Sequence, residues 1–245
     1  MIAEGKIGGA PESQNFIIDT GTSPSIVNEN LVKELGLATT PSAFRALGKS
    51  SPGLAAVVPE IDLGPIRAAS LPVQVESLTR LEREFGIPIA GILGMDVLSK
   101  SNFRLDYDKA EMEFGDIIAT GIPVHFDTRA KIAVAEARIG GKEARFLVDT
   151  GSDSVVLFGR NFPDAGWLTL RQTPQSGNSL ADQRMFVQVF SAADIILGGQ
   201  HFVDDRAYFV PGNSDPAFDG LLGVRALGFR SFSYDQASTT IFLQR

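Results

Sequence analysis

Short apolar runs broken by Gly, Pro, Asp and Ser follow one another along the chain, and few are long enough for a helix. That pattern predicts strands. In the first half they fall at residues 15–19, 55–58, 60–63, 66–75, 89–93, 103–107 and 111–114. Leu71, Val73 and Val75 alternate with polar neighbours, as do Phe103, Leu105 and Tyr107 ahead of a turn at Asp108-Lys109. Helical signals are brief. Asn28 is a suitable N-cap for residues 29–35 with Gly36 as the stop, one or two turns are expected at 78–85, and a short helix at 95–99. The second half repeats this order, with strands at 131–139, 144–149, 185–190, 194–197 and 206–210, an apolar strand at 220–223, a short helix at 224–227 and a closing hairpin. Residues 43–53 and 173–182 are small, polar and glycine-containing, and read as loops.

The repetition is a duplication. Ile7-Gly8-Gly9 matches Ile139-Gly140-Gly141, and Phe16-Ile17-Ile18-Asp19-Thr20-Gly21-Thr22 matches Phe146-Leu147-Val148-Asp149-Thr150-Gly151-Ser152. Gly91-Ile92-Leu93-Gly94 then matches Gly220-Leu221-Leu222-Gly223, and Tyr107-Asp108 matches Tyr234-Asp235. The offsets are 132, 130, 129 and 127, a slow drift in one order that indicates two copies of one unit. The expected division is residues 1–118 and 119–245, and the whole is an all-β, pseudo-twofold protein with few short helices. The second copy has a strand-like lead-in at 122–139 where the first has only residues 1–7, so an upstream leader or anchor is expected in the native protein, testable by its intact mass.

Composition narrows the chemistry. A net charge of −7 with no Lys/Arg-rich run argues against a nucleic-acid or anionic-membrane partner. Without cysteine there is no thiolate nucleophile and no disulfide. No apolar run of about 18 residues is present, so no transmembrane helix is expected. No compartment is assigned; a missing leader would fit a periplasmic, cell-envelope or secreted setting.

Burying one unpaired Asp behind apolar residues is costly. Doing so at matching places in both copies implies that Asp19 and Asp149 meet. Two carboxylates in one site share a proton and titrate as a pair, one serving as base towards a water and the other as acid towards a carbonyl oxygen. No cofactor and no metal are needed for such chemistry. An apolar pair, Asp-Thr-Gly-Thr/Ser, and some 70 residues later an apolar pair before Gly, all stated twice, resembles the retropepsin-like aspartic proteases. The stretch Ile92-Leu93-Gly94-Met95-Asp96-Val97-Leu98 followed by Leu105-Asp106-Tyr107-Asp108 is similar to their bacterial branch. The likeness covers both halves.

The resemblance implies a pepsin/retropepsin-like closed-barrel fold with two lobes fused in one chain and joined by an interdomain sheet of the termini and the linker at 116–126. It implies an aspartic endopeptidase acting on a peptide or protein substrate, active as a monomer, with Asp19 and Asp149 as the catalytic pair. Thr20 and Thr150 would bond across the pseudo-twofold axis, Gly21 and Gly151 would let the two turns approach, and Thr22 and Ser152 would donate to the outer carboxylate oxygens. Retroviral members carry Ala at those last positions, so an acidic optimum is expected. The family's flaps correspond to residues 46–53 and 175–182, with Leu47, Gly48, Ser50, Ser176, Gly177 and Asn178 towards the substrate; neither contains the flap Tyr of pepsin-type enzymes.

Two other classes were weighed. A peptide-binding pseudoprotease would keep the fold without turnover, but both Asp-Thr-Gly triplets are intact. The actin-like ATPase and sugar-kinase fold has a phosphate loop similar to Asp19-Thr20-Gly21-Thr22-Ser23, yet it needs a longer chain and glycine-rich nucleotide loops. His125 and His201 sit at no ligand spacing and support no Ser-His-Asp triad. Asp106, Asp108, Asp204 and Asp205 read as turn charges, and Trp167 as packing.

Overall fold

The computed structural model describes residues 1–46, 49–127, 132–162, 169–170, 175–178, 184–191, 193–204, 207–212 and 214–245. Leu47, Gly48, Trp167 and Asp205 therefore lie outside the described residues.

The first half builds β1 (Ile2–Ile7), β2 (Gln14–Ile18), β3 (Ile26–Asn28), β4 (Thr39–Ala46), β5 (Lys49–Asp62), β6 (Arg67–Glu76) and β7 (Gly91–Leu93). They pair in the order β1-β2-β7-β3-β6-β5-β4. Lys6 of β1 lies opposite Asp62 of β5, which closes the sheet into a barrel and leaves β4 outside it as a hairpin arm. The second half follows the same circuit with β11 (Val134–Ile139), β12 (Lys142–Asp149), β20 (Gly220–Gly223), β13 (Val155–Phe158), β19 (Ala207–Val210) and β16 (Arg184–Ser191). Here β17 (Ala193–Leu197) returns to β11 and pairs β18 (Gln200–Asp204), while β14 (Thr169–Leu170) and β15 (Gln175–Asn178) flank β16.

Periodicity explains most of this. β2 buries Phe16 and Ile18 on one face, while Ile17 on the other packs against a second cluster around Ile26, Leu78 and Ile92. β12 ends in four consecutive buried residues because β11 lies on one side and the parallel β20 on the other. β7 and β20 run parallel to β2 and β12, so Ile92, Leu93, Leu221 and Leu222 form the apolar floor behind the two Asp turns. Side chains as large as these each contribute about 1.5–3 kcal/mol on burial.

A shared sheet joins the halves. β8 (Phe103–Asp106) and β9 (Glu111–Phe114) pair with β21 (Ser231–Asp235), which pairs β22 (Thr240–Gln244), which pairs β10 (Ile122–Asp127). Phe103 stacks on Tyr234 at 5.3 Å and on Phe232 at 5.8 Å, and Phe126 stacks on Tyr234 at 5.2 Å. The linker expectation at 116–126 is met through β10, whereas the N-terminal strand β1 belongs to the first barrel. One hydrophobic cluster runs through both halves.

Several details depart from the sequence reading. The stretch 43–53, a loop by composition but part of a β-hairpin flap by the family likeness, contributes to a hairpin in which β4 pairs β5 from Thr39↔Ala56 to Ala46↔Lys49. Residues 175–178, expected in a loop, pair with β16. Backbone bonds hold both arms, and their small polar residues give no core-facing alternation to read. The strands at 26–28, 155–158 and 200–204 were too short or too mixed to stand out.

Among the described residues the α-helices are α1 (Glu29–Glu34), α2 (Thr79–Phe85) and α3 (Met95–Leu98), and residues 225–227 form a 3-10 turn. Asn28 caps α1 by accepting from Asn30 N. The duplication is also more regular than Tyr107-Asp108 and Tyr234-Asp235 suggested. Asp106 accepts from Asp108 N and Lys109 N, and Asp235 accepts from Ala237 N and Ser238 N. Asp106 and Asp235 are thus the matching turn residues, and the offset stays at that of Gly91 and Gly220.

Candidate active site

Each Asp turn hangs from the end of a strand whose backbone is bonded on both sides. Asp19 N donates to Leu93 O at 3.0 Å, and Ile18 N donates to Met1 O at 3.0 Å. In the second half Val224 N donates to Asp149 O at 3.1 Å, and Val148 N donates to Ala133 O at 2.8 Å. These main-chain bonds hold both turns in place.

The two turns interlock. Thr20 N donates to Thr150 Oγ1 at 3.0 Å, and Thr150 N donates to Thr20 Oγ1 at 3.1 Å. The Thr20 hydroxyl then donates to Val148 O at 2.8 Å. Both threonines are buried, so these bonds work in a dry interior, where leaving a polar group unpaired is costly.

The glycines set the closeness. A Cβ on Gly21 would lie 2.6 Å from Asp149 Cγ, and one on Gly151 would lie 2.7 Å from Asp19 Cγ. Each Asp therefore packs against the other half's glycine, and the carboxyls reach each other across the axis by a hydrogen bond. Asp19 is 4 % exposed and Asp149 9 %.

The hydrogen bonds to the two carboxyls are not equal. Asp19 Oδ1 accepts from Gly21 N at 2.8 Å, and its Oδ2 accepts from the Thr22 hydroxyl at 2.8 Å. Asp149 Oδ1 accepts from Gly151 N at 2.7 Å. Ser152 departs from the expectation set by Thr22: its hydroxyl donates to Ser154 O at 3.1 Å, and only its backbone N–H supports Asp149. Burial, then the charge of Asp19 and the hydrogen bond between the carboxyls, push Asp149 well above the usual carboxylate range; the N–H groups of Gly151 and Ser152 oppose this.

Residues to which the sequence reading assigned no part in the site lie near this centre. Tyr107 lies close enough that burial first, and the Asp149 charge second, raise its phenol, while Arg225 over its ring at 5.9 Å opposes them. Ser25, fully buried, donates its hydroxyl to Asp96 Oδ1 at 2.6 Å and accepts from Gly94 N at 2.9 Å. Only the approach of Ser25 and Asp96 in space reveals that link. Of the flap residues, Ser50 sits at the exposed start of β5, and Ser176, Gly177 and Asn178 lie in the backbone ladder of β15. His125 bonds the Thr240 hydroxyl and His201 bonds Asp194, both away from the Asp turns. Among the described residues, no group of three or more His, Asp or Glu is gathered as for a metal.

A family described as aspartyl protease matches residues 3–97 and 135–226. Among solved structures, the fold resembles the aspartic proteinase from Irpex lacteus at a TM-score of 0.52 and 12% identity, over 99% of this chain and 93% of that one. A comparison with curated proteins finds no match.

Proposed function

The chain belongs to the aspartyl protease family, and from that premise we propose that it is an endopeptidase whose reaction runs between Asp19 and Asp149. The family and the pseudo-twofold, two-barrel fold are those of hydrolases that cut peptide bonds. The observation that carries the finer reading is the crossed packing of the turns, Gly21 against Asp149 and Gly151 against Asp19. It brings the two carboxyls together on a framework held by the reciprocal threonine bonds.

In this reading Asp19 enters as the carboxylate, favoured by the Gly21 N–H and the Thr22 hydroxyl. Asp149 enters with the proton that its burial retains. A water between them gives a proton to Asp19 as its oxygen adds to the peptide carbonyl carbon, and Asp149 gives its proton to the carbonyl oxygen. The gem-diol then collapses: Asp149 takes back a hydroxyl proton, the C–N bond breaks, and the amine leaves with the proton held by Asp19. Activity needs one proton on the pair, so it falls at high pH as the second carboxyl ionises and at low pH as both become protonated.

The hairpin β4–β5 and its counterpart β15–β16 cover the peptide, and lobes 1–118 and 119–245 each supply one Asp. The test is digestion of a mixed peptide library from pH 3 to 8 by wild type, Asp19→Asn and Asp149→Asn. Cleavage lost in each single variant supports the shared dyad. Full activity in either variant would falsify it, and peptide binding without turnover by wild type would mark a pseudoprotease.

A further inference from the structure

Gln74 is a buried polar residue on the face of β6 opposite to the core residues Leu71, Val73 and Val75. It lies on β6, paired with Ile26 of β3 on one side and Ala55 of β5 on the other, and is 7 % exposed. Its backbone N–H donates to Ser25 O at 2.9 Å. Its amide nitrogen donates to Ser42 Oγ and to Ala43 O, both at 3.2 Å, on the hairpin strand β4. Its amide oxygen is buried with no partner.

That unpartnered oxygen carries a desolvation cost. A Leu or Met would fill the space without it, so packing does not account for the amide. Neither does the fold. Ile26 lies opposite Ile92 as Val156 lies opposite Leu221, so the second barrel's equivalent of Gln74 is Tyr208, the parallel partner of Val156.

The connections of Gln74 run in both directions. Towards the site, Ser25 is clamped by Asp96 through its N–H at 2.9 Å and its hydroxyl. Asp96 sits in α3, whose Met95 N donates to Thr22 O at 2.9 Å, and the Thr22 hydroxyl reaches Asp19. Towards the surface, Gln74 grips the root of the β4–β5 hairpin. The second barrel has Val155 in place of Ser25 and Arg225 in place of Asp96, so the residue types of this brace are not repeated there.

We propose that Gln74 is a positioning residue that ties the β4–β5 hairpin to the Asp19 turn, holding that hairpin at the height at which it closes over a bound peptide. This rests on the endopeptidase reading for its kinetic consequence and on the hydrogen bonds alone for its mechanical one. Hairpin contacts bind ground state and transition state alike, so the brace acts on KM rather than kcat.

The test is Gln74→Met, which keeps the volume, removes both side-chain donors and abolishes the unpartnered oxygen. Ser42 is half-buried and Ala43 exposed, so their freed oxygens turn to water. The expected result is KM raised roughly tenfold, the scale of one or two neutral hydrogen bonds, with kcat and the acid limb of the pH profile unchanged. Tm should hold or rise, which a merely structural amide would not allow. Amide exchange across residues 39–62 should speed up while residues 184–191 stay as in wild type, a readout that needs no protease activity. Unchanged KM with unchanged hairpin exchange would overturn the proposal, as would a fall in kcat at constant KM. If wild type cleaves nothing, the endopeptidase reading fails by itself and the exchange data still decide the brace.

Discussion

Thr22 and Ser152 occupy matching positions, but their hydroxyls donate to different acceptors, Asp19 Oδ2 and Ser154 O. Thr22→Ala removes a donor to the charged form of the pair, so its acid limb should move up by roughly one pH unit; Ser152→Ala should leave it in place. Equal shifts in the two pH profiles would contradict this asymmetry. Asp149 makes a second prediction through linkage. Its raised folded-state pKa means that the native protein binds more protons than the unfolded chain from about 3.8, the ordinary aspartate value, upward. The contribution of the protonated form is therefore fully present below the unfolded pKa and is lost as pH climbs to the pair's upper pKa. Asp149→Asn, which cannot ionise, should gain Tm relative to wild type as pH rises from 4 to 7. A Tm difference that stays flat over that range would show that the buried carboxyl carries no such cost.

At the scale of elements, a tight constraint is the pairing of β7 and β20 with their antiparallel neighbours. A Cβ on Gly91 would meet Ile26 O at 2.4 Å, and one on Gly220 would meet Val156 O at 2.1 Å. The obstacle in each case is backbone, which cannot turn aside as a side chain can. Gly220→Ala should thus cost about 2–4 kcal/mol, read as a lower urea midpoint at unchanged slope. A change under about 0.5 kcal/mol, the scale of ordinary surface substitutions, would mean that the two strands separate easily. The elements also show where pattern reading loses force. β2 and β12 were legible because one or both faces are buried, whereas β4 and β15 were not, since their pairing is carried by backbone groups common to every residue.

The whole molecule is two barrels joined by a sheet to which both contribute, with β8 from the first half paired to β21 from the second and Phe103 stacked between Phe232 and Tyr234. A hydrophobic cluster spanning both halves should make unfolding a single cooperative transition, and calorimetry resolving two independent transitions would count against it. Because each half supplies one Asp within one chain, activity should scale linearly with dilution of the protein, and a square-law fall would show that two chains are required.

The sequence by itself determined the duplication, the strand-rich class, the two Asp-Thr-Gly turns and the apolar strands behind them. All of these depend on burial, and burial leaves its mark as spacing along the chain. It also brought Asp19 and Asp149 together as an expectation, since a repeated buried carboxylate has few other stable settings. Tertiary structure alone decided that Thr22 donates to its Asp and Ser152 does not, that Asp106 rather than Asp108 matches Asp235, and that Gln74 braces the hairpin against Ser25. Those facts are individual hydrogen bonds, some between residues two or three apart and some, as from Gln74 to Ser42, between strands. A hydroxyl or amide looks the same in sequence whichever acceptor it finds, and only the closed barrels set which acceptor is within reach.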